Sequence, residues 1–409
     1  MDYGGQHLSR RLSLMRHPMR VLRNAILLAA ILPGAAALAQ NRDETLFPET
    51  AAKVAVVLDG KTGGILFDKN GRAPFPPASL AKIMTAEILF GALASGQVSA
   101  DATMPVSNHA WRTGGAPSRT ATMFAAVRSA VPVDALAHGL VVQAANDAAI
   151  IIAEHLDGSE KAFAQRMNDR AGALGMVDSR FVNPTGLPEG GQEVTARDVA
   201  ILARHVRYAY PDRYALYAQP EFEWNKILQR NRNPLLGAIP GATGMATGFS
   251  QEGGYSIVGV VEGEAGRVTI LALAGLDKEP TRVRETIALA NWAASAFEEK
   301  AIFQAGTPIA QAPVFGGVTA SVPLVLEEDL VALVPKRHAQ SVTASVRYDT
   351  PLRAPVRKGD RIGVVELKIE DRVSLERELI AGEDVTEGTF ASRAADAVQE
   401  LAFGWIRSL

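Results

Sequence analysis

Pro77-Ala78-Ser79-Leu80-Ala81-Lys82-Ile83-Met84-Thr85 opens a nearly all-apolar run that continues to Leu93. Pro74, Pro76 and Pro77 exclude helix before Ser79, and a proline-rich lead-in often stops where a helix begins. A helix starting at about Ser79 puts Lys82 one turn on, on the same face. A serine hydroxyl is a weak nucleophile at neutral pH and needs a base beside it. Lysine serves as that base when burial lowers its pKa. The run behind the pair is apolar on all sides, which predicts a helix buried inside a domain. Taken alone, the tetrad also fits a serine N-cap beside a snorkelling surface lysine. The rest of the chain decides between them.

Working outward, Ala51 to Leu58, the turn Asp59–Gly64 and Ile65-Leu66-Phe67 read as a hairpin. Residues 97–130 have weak periodicity and suggest loops and short helices. Helices are expected over Pro132–Val142, Asp147–His155, 160–174, Thr195–Tyr208 and Pro280–Phe297, with Asn146 capping the second of these. Gly241–Phe249 is glycine-rich and leads into strands Tyr255–Val261 and Arg267–Ala274. A hairpin at each end of a mostly helical segment predicts one α+β domain whose sheet is assembled from both ends. After residue 300 the texture changes. Val342, Ala344, Val346 and Tyr348 alternate on one face, and Lys358-Gly359-Asp360 turns into the strand Arg361–Ile369. This predicts a small β-sandwich. Phe390, Ala394, Ala397, Val398, Leu401, Trp405 and Leu409 share one face of a terminal amphipathic helix. Such a helix lies in a membrane interface, docks on the sandwich or joins copies of the chain.

The chain has 409 residues, enough for two domains, and a net charge of −2 with no basic run, which argues against nucleic acid as a partner. It has no cysteine, which excludes disulfides, thiolate metal sites and a cysteine nucleophile. Arg16, Arg20 and Arg23 precede the apolar stretch Ala25–Leu32, then Ala37-Leu38-Ala39-Gln40 gives a small-x-small pattern. This predicts a signal peptide over 1–39, cleaved after Ala39, and hence export.

Ser-x-x-Lys has two downstream companions, Ser-x-Asn and Lys-Thr-Gly, in the β-lactamases and penicillin-binding proteins. Val142-Gln-Ala-Ala-Asn146-Asp147-Ala148 and Gly241-Ala-Thr-Gly-Met-Ala-Thr-Gly248-Phe249 occupy their places. Phe181-Val-Asn-Pro-Thr-Gly-Leu187, Thr195-Ala-Arg-Asp198, Glu221–Asn225 and Asn231-Arg-Asn233 resemble the connecting segments. Across its whole mature length the chain resembles the low-molecular-mass penicillin-binding proteins, the D-alanyl-D-alanine carboxypeptidases of serine peptidase family S11. The implied division is a signal peptide over 1–39, a serine DD-peptidase domain over 40–299, a β-sandwich over 300–388 and an amphipathic helix over 389–409.

The resemblance implies removal of the terminal D-alanine from peptidoglycan stem peptides. Ser79 would be the nucleophile, Lys82 the base and Asn146 an orienting amide. Thr247 would hold the substrate carboxylate, and the backbone N–H groups of Ser79 and Phe249, past Gly248, would form the oxyanion hole. It implies no metal or cofactor, β-lactams as covalent ligands, and a periplasmic site of action, with residues 389–409 making peripheral contact with the outer face of the cytoplasmic membrane. Two positions depart from the pattern: Ala144 stands where the second motif has serine, and Ala246 where the third has lysine. In the family that serine relays a proton to the leaving amine, and that lysine places charge near the substrate carboxylate. Arg197 and Arg232 are the candidates to reach the site instead. The departures leave open a slow carboxypeptidase or a degenerate wall-binding protein. A β-lactamase is disfavoured: Glu221–Asn225 stands too far beyond Asn146, and the C-terminal β domain is foreign to that class.

Overall fold

The computed structural model describes residues 23–28, 46–350, 352–390 and 394. Five antiparallel strands form the sheet of the first domain, in the order Ile65–Lys69, Val54–Asp59, Val268–Leu276, Gly254–Glu262, Ala242–Ser250. The sheet is thus drawn from both ends of the domain. Its central strands alternate strictly, because successive side chains of a strand point to opposite faces. Val54, Val56, Leu58, Ile270 and Ala272 enter the helical core on one face. Ala55, Val57, Leu271 and Leu273 enter a second core under the Glu279–Ala296 helix on the other.

Inside the larger core runs the Ala81–Ala94 helix, buried on every side from Ala81 to Phe90. Around it pack helices Val133–Val142, Asn146–Asp157, Glu160–Ala173 and Ala196–Ala209. Thr195 caps the last of these, accepting from the Asp198 N–H at 3.2 Å. The buried carboxylate of the central helix is paired. Glu87 meets Arg170 at 2.7 Å and His205 at 3.3 Å, as a buried carboxylate requires.

The second domain is all β. A larger sheet carries Val342–Asp349, Arg361–Ile369, Arg372–Ala381, Ser321–Val325 and Ala310–Phe315, and a separate pair joins Phe297–Phe303 to Leu330–Pro335. Ala344, Val346 and Tyr348 face its core, as their alternation predicts. This domain leans on the first through backbone carbonyls: Arg372 donates to Asp68 O, Ser374 to Ile65 O and Arg377 to Thr62 O.

Arg23–Leu28, from the stretch read as a signal peptide, pairs with the edge strand Val342–Asp349. An open sheet edge is a template for any extended apolar segment. The cleavage point and nearly all of the terminal helix 389–409 lie outside the described residues. Among those described, no helix is long and apolar enough to cross a membrane.

Candidate active site

Ser79 sits in a single 3₁₀ turn, Ala78–Leu80, which hands over directly to the Ala81–Ala94 helix. Ser79 therefore does not cap the helix, and its hydroxyl is half-buried and free to react. Ala78 is held at φ 47, a left-handed conformation that a non-glycine residue adopts at some cost. Gly186 and Gly248 close on this turn. A Cβ at Gly186 would lie 1.7 Å from Ala78 O, and one at Gly248 would lie 2.8 Å from Pro77 O.

Lys82 is only 4% exposed, which removes the surface-lysine reading. Its Nζ lies 3.0 Å from Ser79 Oγ and donates to the Thr185 carbonyl at 2.6 Å. Burial, then the nearby Arg232 guanidinium, lower its pKa from 10.5 to about 7, while Asp147 pulls the other way. A lysine so placed is substantially neutral at physiological pH and can accept a proton. The Asn183-Pro-Thr-Gly-Leu187 loop, read from sequence only as a connector, supplies the carbonyl that aims it. That loop is locked by Asn183, whose Oδ1 accepts from Thr185 N, Thr185 Oγ1 and Gly186 N. Thr85, one turn past Lys82, donates to Pro184 O at 2.7 Å.

Opposite stands the end of the Val133–Val142 helix. Ala144 is at φ 55, so this turn is strained as the Ser79 turn is. Asn146 begins the next helix but does not cap it: the cap position is Ala145, and no side chain fills it. The Asn146 amide instead donates from Nδ2 to Thr120 Oγ1 at 2.8 Å, and its buried Oδ1 has no partner among the described residues. Asp147, next along, anchors the facing loop. Its carboxylate accepts from Thr122 Oγ1, Met123 N and Ala125 N. Desolvation pushes its pKa up, and these hydrogen bonds oppose that shift.

The glycine-rich segment, expected to precede a strand, is itself the edge strand Ala242–Ser250. Glycine suits it because the strand presses against the nucleophile turn. An edge strand leaves one row of backbone groups without a sheet partner, which suits an extended peptide ligand. Thr247 is half-buried in the site, and Phe249, 54% exposed, packs at a tilt of 40° against Tyr255 with ring centroids 4.5 Å apart. Between the walls lies a cavity of about 20 Å³, lined by Ser79, Lys82, Ala144, Arg232, Ala246 and Thr247 among others. That is room for one water. Of the two candidate arginines, Arg232 lines the cavity, whereas Arg197 is paired with Asp68 elsewhere. No carboxylate lines it, and Glu221 and Glu223 lie exposed on the hairpin Glu221–Trp224/Ile227–Arg230. Among the described residues that line the cavity, none is a counterpart of the water-activating glutamate of a class A β-lactamase.

Residues 40–275 match the sequence model of the D-alanyl-D-alanine carboxypeptidase family, and residues 297–387 match that of the penicillin-binding protein 5 C-terminal domain. The chain belongs to the D-alanyl-D-alanine carboxypeptidase family. It is 30% identical over 365 residues to D-alanyl-D-alanine carboxypeptidase DacC of Escherichia coli, covering 88% of this chain and 91% of that one. Its structure is similar to that of penicillin binding protein 5 from Haemophilus influenzae, with a TM-score of 0.70 and 30% identity over 83% of this chain and 99% of that one. The peptidase part alone is similar to penicillin-binding protein D2 from Listeria monocytogenes in the ampicillin-bound form, with a TM-score of 0.52 and 26% identity over 60% of this chain and 98% of that one.

Proposed function

We propose that this chain is a serine D-alanyl-D-alanine carboxypeptidase working through a Ser79 acyl-enzyme. The observation that carries this is the buried Lys82 amine, 3.0 Å from Ser79 Oγ, with its pKa lowered to about 7. Ser79 Oγ attacks the carbonyl between the two terminal D-alanines while its proton passes to Lys82 Nζ. One Lys82 N–H stays committed to Thr185 O, which leaves the lone pair of the neutral amine for that proton. Charge on the carbonyl oxygen is met by the backbone N–H groups of Ser79 and Phe249, a type of contribution worth roughly 3–4 kcal/mol per donor. The C–N bond breaks, the proton moves from Lys82 to the departing amine, and D-alanine leaves. Lys82 then deprotonates a water that attacks the ester and frees Ser79. In this reading Asn146 Oδ1, buried and without a partner among the described residues, receives a substrate N–H. A water in the 20 Å³ space beside Ala144 would carry the proton that the family's serine carries.

The altered second wall favours a second reading, a fold retained for wall binding without turnover. Release of D-alanine from a pentapeptide, compared with the Ser79→Ala variant, separates the two. Release that depends on Ser79 supports the enzyme, and equal rates overturn it. A penicillin adduct on Ser79, read by mass spectrometry, tests the β-lactam reactivity that the ampicillin-bound relative suggests.

The division into a peptidase domain over 40–299 and a β-sandwich over 300–388 belongs to the same proposal. It is supported by the two cores confined to one part each, while a third cluster joins them, Leu333 and Ile369 packing with Leu271 and Leu289. So do export to the periplasm and peripheral membrane contact through residues 389–409. Deleting 389–409 and measuring co-sedimentation with anionic vesicles tests the last: unchanged sedimentation overturns it.

A further inference from the structure

Away from the Ser79 site, a group of cations lines the cleft where the two domains meet. Arg72, Arg197 and Arg204 enter it from the peptidase domain and Arg377 from the β domain, around a volume of about 620 Å³. Arg72 and Arg197 are already spent, the first on Asp178 at 2.6 Å and the second on Asp68. Glu376 is the one carboxylate among the described lining residues, and Arg347 holds it at 3.2 Å.

Arg204 and Arg377 are different. Among the described residues neither has a carboxylate at ion-pair distance. Each is held instead by backbone carbonyls, chiefly those of the turn Asp59–Gly64. Arg204 donates from Nε to Gly60 O at 2.8 Å and from Nη2 to Lys61 O at 2.9 Å. Arg377 donates from Nη2 to Thr62 O at 2.6 Å and from Nη1 to the neighbouring Glu376 O at 2.8 Å. The turn is itself pinned: Gly60 N donates to Val268 O, Gly63 N to Asp59 O, and Thr62 N to Asp59 Oδ2. Gly63 has φ 78, and a Cβ there would lie 3.5 Å from Arg204 Nε, so glycine lets the turn close on this guanidinium. Carbonyl oxygens orient a guanidinium without cancelling its charge. Desolvation, then the charge of Arg204, lower the pKa of Arg377, with Glu328 and Asp59 acting against them. Asp59 is committed to its own turn, and Glu328 lies exposed. Two like charges are thus fixed on a rigid support, one from each domain, and each keeps part of its donor fork unspent. A compact anion completes such an arrangement.

We propose that this cleft binds a phosphate group between Arg204 and Arg377. Two unpaired cations are matched by a group with two negative charges on one centre, which a phosphate monoester approaches near pH 7 and a carboxylate does not. The rest of the volume admits an organic substituent. Because one arginine lies on the Ala196–Ala209 helix and the other on the Arg372–Ala381 strand, the ligand fastens the two domains together. The cleft shares no lining residue with the Ser79 cavity and does not depend on the chemistry proposed there.

Calorimetry on the full chain, at constant ionic strength, titrates inorganic phosphate and glycerol 3-phosphate. Arg204→Gln and Arg377→Gln are each expected to weaken binding by roughly 10-fold or more, and the two together to abolish it. Arg204→Lys keeps the charge without the fork and should fall between. Arg361→Gln removes the same charge from an exposed arginine of the β domain outside the cleft, and should bind as the parent does. Saturating phosphate should raise the unfolding temperature of the parent and of Arg361→Gln, and leave that of the double variant unmoved. A second arm finds the source of the phosphate, by co-sedimentation with phosphatidylcholine vesicles with and without phosphatidic acid. Sedimentation that needs phosphatidic acid and both arginines assigns the cleft to a lipid headgroup. Calorimetric binding without it assigns the cleft to a soluble phosphomonoester. A parent that binds neither soluble phosphate nor phosphatidic acid overturns the proposal before any variant is made, and binding undiminished in the double variant overturns it too.

Discussion

The two walls of the candidate active site are built by different means, and under the proposed function only one of them carries all of the residues that the family resemblance implies. On the nucleophile wall, Ser79, Lys82 and Thr185 are joined at 3.0 and 2.6 Å, and the pKa of the base is set mainly by burial. Burial is a property of the whole helix core, so this wall persists as long as the domain folds. The facing wall depends on single side chains that project from strained or edge backbone at 144 and 246. Each can be cut back to Cβ with the backbone in place, and Ala144 keeps its left-handed turn while Ala246 keeps its strand pairing with Val258. A family fold therefore guarantees the first wall far better than the second.

The largest effect that would break this comparison lies in the first wall. Ser79→Ala and Lys82→Ala should each lower acylation by fluorescent penicillin roughly 10⁴-fold or more, because a nucleophile and its base act as one unit. The double variant should be no worse than either single one. Label retained in Ser79→Ala would move the nucleophile elsewhere. Next in size is repair of the second wall. Ala144→Ser with Ala246→Lys should raise D-alanine release by roughly 10²-fold, at the low end of what a proton relay contributes. No gain would show that neither position limits turnover.

The first wall was also the legible one. An apolar run on every side of a helix predicts burial, and Ser-x-x-Lys predicts a shared face; both hold in the structure. Alternation over Val342–Tyr348 predicted the inward face of the small β domain, and Ala344, Val346 and Tyr348 lie in its core. What escaped were features set by backbone atoms and by distance through space. Thr185 acts through a carbonyl, which no side-chain pattern announces. The Ala242–Ser250 strand was masked by glycines required for close packing against Pro77. Asn146 looked like a cap from its place before a helix, but Thr120 takes its amide. Arg232 stands out from Arg197 only once folding brings one to the cavity and the other to Asp68.

Where the walls meet, Gly248 sharpens the comparison. An added Cβ would lie 2.5 Å from Ser256 Oγ and 2.8 Å from Pro77 O, and the second of these is backbone that cannot turn aside. Gly248→Ala should push the edge strand off the nucleophile turn. A displaced oxyanion donor costs acylation roughly 10- to 100-fold, with unfolding temperature lowered by only a few degrees. A loss of stability without a loss of acylation would mean that the strand's position does not matter to the chemistry.

The smallest expected effect has the opposite sign. Holding Lys82 in the core depresses its pKa from 10.5 to about 7, so between those values the unfolded chain binds the extra proton. Stability from this group therefore rises with pH across that window, and the penalty is complete below about pH 7. Lys82→Met keeps the length and removes the charge. It gives up the bonds to Ser79 and Thr185, whose carbonyl is left without its donor, and this offsets part of the gain. The net should be a peptidase-domain unfolding temperature a few degrees above the parent's at pH 6, with the difference shrinking as pH rises and reversing near pH 10, where only the lost bonds remain. A variant less stable than the parent at pH 6 would mean that Lys82 is not held at a cost, and the electrostatic account of the first wall would fall with it.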